Sequence, residues 1–209
     1  MSSFFDIFLH LDHFLPLVFN HYGNLMMVFL FAIIFIETGL IFFPFLPGDS
    51  LLFATGLLCA STPSLHIGSL WLILGLAAIL GNKLNYVIGR FLGEKILIKG
   101  HFIKQNSLKK SQDYFDSKGG KAIILSRFIP IFRSFVPFLA GITGMSYRRF
   151  STYNLIGGIT WTGLFLLSGY FFANIPIVKN HFSLVILIIM ALSLIPPAID
   201  LIRAGIKKD

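Results

Sequence analysis

One cysteine in 209 residues, Cys59, is too few for an internal disulfide or a multi-cysteine metal site. Charge is scarce too: 12% of residues are charged, against roughly 25% in soluble domains, and only nine are acidic. A soluble chain of this length needs far more polar surface. No lysine or arginine precedes Lys83, and Asp6 and Asp12 lie near the start, so no cleavable signal peptide is expected. What is abundant is apolar. Hydrophobic residues make up 56% of the chain, with 24 phenylalanines, and mean hydropathy is +0.82. These figures describe a polytopic membrane protein. The net charge of +8 does not make it a nucleic-acid binder, because membrane proteins gather basic residues on cytoplasmic loops.

A hydrocarbon core about 30 Å thick takes about 20 apolar residues per spanning helix. Five apolar stretches qualify, at 25–60, 67–92, 122–145, 152–173 and 182–203. The aromatic stretch 4–22, with His10, His13 and His21, makes 1–24 an interfacial N-terminal segment. Twelve of the 17 basic residues fall in three clusters: seven within 94–121, then Arg148 and Arg149, then Arg203, Lys207 and Lys208. By the positive-inside rule all three are cytoplasmic, and so is the C-terminus.

Segment 122–145 therefore has cytoplasmic charge at both ends and cannot cross once. Pro130 and Pro137 interrupt it, so it is expected to enter and leave as a re-entrant hairpin. Segment 25–60 has the same ingredients, with Pro44, Pro47 and Gly48 at its break. Hairpin plus long helix thus occurs twice, as 33–60 with 67–92 and as 122–145 with 152–173. The expectation is one all-α membrane domain over 1–209. It has two inverted repeats of the secondary-transporter type and a C-terminal transmembrane helix over 182–203.

Among the charges inside these stretches, Glu37, Asp49, Arg127 and Arg133 stand out, whereas Lys83 and Arg90 can reach the cytoplasmic interface. Each of the four costs about 2.5–3.5 kcal/mol at the bilayer centre, so each should face protein or water. Asp49 has a plainer role available as an N-cap for 50–60. Glu37 has none, since an apolar run precedes it. Arg127 and Arg133 would point about 120° apart on an unbroken helix, and Pro130 between them lets both turn into one cleft. A carboxylate pair facing an arginine pair is the economical arrangement, because buried charge persists when paired. Guanidinium forks match phosphate, and a desolvated carboxylate can carry a proton. Asn85 and Tyr86 are candidates to line the same cavity. Gly89-x3-Gly93 reads as ordinary helix packing.

Catalytic chemistry finds little to work with. All six histidines lie in the terminal segment or in loops, and no zinc motif or intramembrane Ser–His pair is present. No enzyme, cofactor or metal site is expected.

Four blocks carry a resemblance: ETGLIFFPFLPGDSLLFATGLL, GNKLNYVIGRFLGEK, GGKAIILSRFIPIFRSFVPFLAGITGMSYRRF and YNLIGGITW. In this order they resemble the DedA family, also called the SNARE-associated Golgi or VTT-domain family, over nearly the whole chain. The resemblance implies a bacterial inner-membrane protein with two opposed re-entrant hairpins. It also implies transbilayer movement of lipids such as undecaprenyl phosphate or phospholipids, linked to the proton-motive force and to envelope homeostasis. The family's essential acidic and arginine positions carry over onto Glu37, Asp49, Arg127 and Arg133. Where many members have an acidic residue, this chain has Gly81-Asn82-Lys83-Leu84-Asn85-Tyr86, which puts a third carboxylate in question.

The function expected is proton-linked translocation of an anionic lipid headgroup, with membrane lipids and protons as partners and a homo-oligomer allowed. A proton-coupled ion antiporter and a non-transporting assembly factor are the rivals. The topology makes a first prediction. Cysteines placed at Lys118 and Ser146 should both react with an impermeant reagent from the cytoplasmic side alone. Labelling of Ser146 from outside would remove the hairpin.

Overall fold

A computed structural model describes residues 11–40, 48–62, 65–99 and 119–176, together with positions 178, 184 and 188. Among the described residues the regular structure is helical, and no strand occurs. Six helices follow in order: α1 (Leu11–Gly39), α2 (Gly48–Ser61), α3 (Ile67–Lys99), α4 (Gly119–Ser126), α5 (Pro130–Ile142) and α6 (Tyr147–Phe172). Two stretches, Ile67–Gly93 in α3 and Tyr147–Phe172 in α6, are long and apolar enough to cross a membrane. Expectations placed on Pro44, on Pro47 and on the span 182–203 lie outside the described residues.

Helix ends follow local chemistry. α1 runs unbroken through positions 24 and 25, the boundary between the segment 1–24 and the apolar stretch 25–60. Gly23 lies in open space and Met26–Ile36 is a continuous apolar run, so no residue there stops the helix. It ends at Gly39, with the Leu40 N–H still reaching the Ile36 carbonyl at 3.0 Å. α2 places Asp49 in its first turn, where a carboxylate complements the helix dipole.

The stretch 122–145 breaks once. Ile129 is extended (φ −119°, ψ 111°), as the residue before a proline prefers, and Pro130 opens α5. The joint is tightened by Arg127 N–H to Ile124 O at 3.3 Å and Ile129 N–H to Ser126 O at 3.1 Å. Pro137 corrects the sequence expectation, because it lies inside α5 and ends nothing. It removes only the donor that would have met the Arg133 carbonyl, and α5 continues to Ile142. α5 then closes in a Schellman motif. Gly144 takes φ +73°, Met145 N–H bonds Ala140 O at 3.0 Å, and Gly144 N–H bonds Gly141 O at 3.1 Å.

The chain divides into two compact units, the first of residues 1–33, 47–74 and 162–209, the second of 34–46 and 75–161. In the first unit α2 meets the end of α6 through reciprocal glycines. A Cβ at Gly56 would sit 2.9 Å from the Tyr170 nitrogen, and one at Gly169 would sit 2.9 Å from the Phe53 carbonyl carbon. Leu52, Leu57, Leu70, Leu74 and Leu166 fill this unit's interior, and Phe53 packs edge-on to Phe172 at 5.8 Å.

In the second unit α3 crosses α5 just as closely. A Cβ on Gly89 would meet the Phe138 carbonyl, and one on Gly141 would lie 2.7 Å from the Arg90 nitrogen. Gly89 and Gly93 are therefore packing residues, as their spacing indicated. Tyr86, Ile123, Ala140, Met145 and Phe150 form the adjoining core. Tyr86 stacks on Phe150 at 4.3 Å and its hydroxyl donates to the Met145 carbonyl.

Burial is inverted relative to a soluble protein. Leu76, Leu80, Leu84, Val87 and Phe91 are exposed along α3, whereas Asn82 and Asn85 beside them are fully buried. Apolar side chains outward and amides inward suit a lipid solvent, which offers backbone and side-chain polar groups no partners. Gly89→Leu should therefore force α3 from α5 and cost about 1–3 kcal/mol, read as a lower melting temperature in detergent. Gly68→Ala, in open space on α3, should leave that temperature unchanged or raise it.

Candidate functional site

Glu37 lies in the last turn of α1, and Arg133 lies near the start of α5. Each is at the wrong end of its helix: the dipole opposes an anion at a C-terminus and a cation at an N-terminus. Both are also buried, Glu37 at 0% and Arg133 at 2% exposure. They offset each other directly, because Arg133 Nη2 donates to Glu37 Oε1 in an ion pair. The Arg133 guanidinium carbon also sits 5.0 Å from the centre of the Trp161 ring, in cation–π range.

A helix ending inside a protein leaves carbonyls without intrahelical partners. Here they are met by side chains. Ser134 Oγ donates to the Glu37 carbonyl at 3.2 Å, and Asn85 Nδ2 donates to the Thr38 carbonyl at 3.4 Å and to the Ser134 carbonyl at 2.6 Å. Asn82, with its amide turned to satisfy its neighbours, donates to the Thr38 carbonyl at 3.1 Å. Asn82 and Asn85 are three residues apart on α3, so both face the end of α1.

Arg127 occupies the joint between α4 and α5 and is fully buried. Its Nη2 donates to Asn154 Oδ1 at 2.6 Å, to the Asn82 amide oxygen at 3.0 Å, and at 3.4 Å to the Ala78 and Asn154 carbonyls. Among the described residues, none of its hydrogen bonds goes to a carboxylate. α6 makes room for it with Gly157 and Gly158: a Cβ at Gly157 would sit 3.1 Å from Arg127 Cδ, and one at Gly158 would sit 3.4 Å from Arg127 Nη2. Asn154 is fixed in turn by donating to the Ile79 carbonyl at 3.0 Å.

Three of the four charges picked from sequence, Glu37, Arg127 and Arg133, thus meet in the second unit, with Asn85 among them. Asp49 belongs to the first unit, half-buried in the first turn of α2. Within the second unit, Arg133 pairs with Glu37, and Arg127 is held by amide and carbonyl oxygens. Tyr86 is buried in the apolar core instead of lining a polar cavity. Sequence reasoning missed Thr38, Ser134, Asn154, the Gly157–Gly158 pair and Trp161. A signal existed: Asn154, Gly157, Gly158 and Trp161 recur at helical spacing, so they share one face of α6.

Comparison with known proteins places these residues in company. The VTT domain matches residues 46–171. Protein DedA of Escherichia coli (strain K12) is 43% identical over 201 residues, covering 95% of this chain and 92% of that protein. A membrane protein of Mycobacterium tuberculosis (strain ATCC 25618 / H37Rv) is 40% identical over 185 residues, covering 87% and 81%. Inner membrane protein YghB of Escherichia coli (strain K12) is 35% identical over 189 residues, covering 89% and 83%. No solved structure is matched significantly.

The ion pair sets a stability test. Glu37→Ala and Arg133→Ala should each cost about 3–5 kcal/mol, since each strands a buried charge. The double variant should lose clearly less than the sum, which melting of the four purified proteins would show. Additive losses would mean that the pair is not coupled.

Proposed function

Because the chain belongs to the VTT-domain, or DedA, family of membrane proteins, we propose that it carries an anionic lipid headgroup across the bacterial inner membrane, linked to protons. The observation that carries this reading is the pairing of Glu37 with Arg133, buried in the same unit as a second arginine that neutral groups hold among the described residues. Such a site can exchange one anion for another. Protonating Glu37 dissolves its claim on Arg133, and the freed guanidinium fork then accepts a phosphate bidentately. When the phosphate leaves, Glu37 releases its proton and takes Arg133 back. One proton therefore travels with each headgroup, while the lipid tails stay in the bilayer. Headgroups of this chemistry include undecaprenyl phosphate and anionic phospholipids.

In this reading α4 and α5 are the arms of a re-entrant hairpin that opens from the cytoplasmic side. The end of α1 and α2 form its inverted counterpart, with Asp49 at the second break, and the C-terminus is cytoplasmic. α3 and α6 are the transmembrane partners of the two hairpins. Trp161 holds the Arg133 plane so that its fork presents a constant face, and the amides keep the end of α1 in place while the charges exchange.

Reconstituted vesicles carrying labelled lipids, with and without a pH gradient, test the reading. The parent should move anionic lipids faster under the gradient and zwitterionic lipids little. Arg133→Lys should move them roughly tenfold more slowly, because an ammonium offers a point charge and no fork. Glu37→Gln should still fold but should move lipid independently of the gradient. Gradient-driven ion flux without lipid movement would replace translocation by antiport. Full gradient-driven transport by Glu37→Gln would leave Glu37 structural.

A further inference from the structure

Glu37, Arg127 and Arg133 are the buried charged side chains among the described residues. Arg133 has the Glu37 carboxylate as a partner, and Arg127 makes no hydrogen bond to a carboxylate among the described residues. There, every acceptor it meets is an amide or carbonyl oxygen, and its Nε and Nη1 are buried without a hydrogen-bond partner. A buried cation with two idle donor nitrogens is costly unless an anion arrives.

Of the neutral neighbours, Asn82 holds the decisive place. Its amide oxygen lies 3.0 Å from Arg127 Nη2 and its amide nitrogen 3.1 Å from the carbonyl of Thr38, the residue after Glu37. It therefore links the amide-held arginine to the segment that carries the ion pair. An aspartate is nearly the same size and would put a full negative charge at salt-bridge distance from Arg127. Asparagine supplies the same hydrogen bond and no charge.

We infer that Asn82 keeps Arg127 electrically open, so that the phosphate of an incoming ligand supplies the anionic hydrogen-bond partner that Arg127 lacks among the described residues. Asn82 is thus a specificity-determining residue for anions, a conclusion that rests on the headgroup reading above. Arg127 begins the joint Arg127–Ile129, where helix α4 has ended and α5 has not begun.

The test is thermal unfolding of the full chain in detergent, titrated with dioleoyl phosphatidic acid, inorganic phosphate or neutral dioleoylglycerol. Phosphatidic acid should protect the parent and dioleoylglycerol should not. Asn82→Asp should bind phosphatidic acid roughly tenfold more weakly, because its built-in carboxylate has taken the anion's place. Asn154→Asp puts a carboxylate on the other acceptor of the same Nη2 and should weaken binding likewise, without disturbing Thr38. Asn82→Ala should lower the melting temperature yet keep most of the affinity, an outcome that separates charge from structure. Protection by inorganic phosphate alone would keep the counter-ion role and overturn a lipid as its source. Equal affinity in the parent and both aspartate variants, or no protection of the parent by either anion, would overturn the inference. Vesicle transport is read separately, so a failure of Asn82 and a failure of translocation remain distinguishable.

Discussion

The ion pair between Glu37 and Arg133 is the constraint on which the second unit depends. Neither charge is tolerable alone, since each is buried and each lies at the helix end whose dipole opposes it. Bringing them together fixes where α1 ends relative to α5. Once α1 ends there, its last carbonyls must be satisfied away from water, and Ser134, Asn82 and Asn85 do so. The polar residues of α3 thus follow from the position of Glu37.

Placing arginines among packed helices also demands space. The side chain of Arg127 occupies volume that two α6 residues would otherwise fill, and Gly157 with Gly158 vacate it. Gly89 and Gly141 bring α3 and α5 close enough for short amide side chains to bridge neighbouring helices. Close approach, small residues and amide contacts are one arrangement: a longer spacing would leave Asn85 unable to reach Thr38 and Ser134 together.

The two arginines are held in different ways, and the difference has chemical meaning. Arg133 has a carboxylate partner that protonation would neutralise and the Trp161 ring within cation–π range. Arg127 has only neutral acceptors among the described residues. In the proposed cycle the first is a switch and the second a standing positive potential, so an anionic headgroup finds attraction before the switch has been thrown. Burial preserves this division, because water in contact with the two sites would screen the field that distinguishes them.

Composition alone established a membrane protein, because 56% hydrophobic residues and so few charges cannot clothe a soluble surface. The two long helices were legible for the same reason, and so were Glu37, Arg127 and Arg133, since a charge in an apolar run is conspicuous by its cost. Pro137 misled because proline forbids one hydrogen bond and not a helix, whereas Pro130 truly began one. Pairing was beyond the sequence. Which arginine meets Glu37 depends on how α1 and α5 approach, residues 96 positions apart. That Arg127 meets Asn82 and Asn154 instead of a carboxylate depends on which faces α3 and α6 present. The sequence therefore determined which charges must be buried, because desolvation is a property of the residue and its neighbours in the chain. The tertiary structure decided which charge is paired and which is left open, because partnership at hydrogen-bond distance is set by the packing of distant helices.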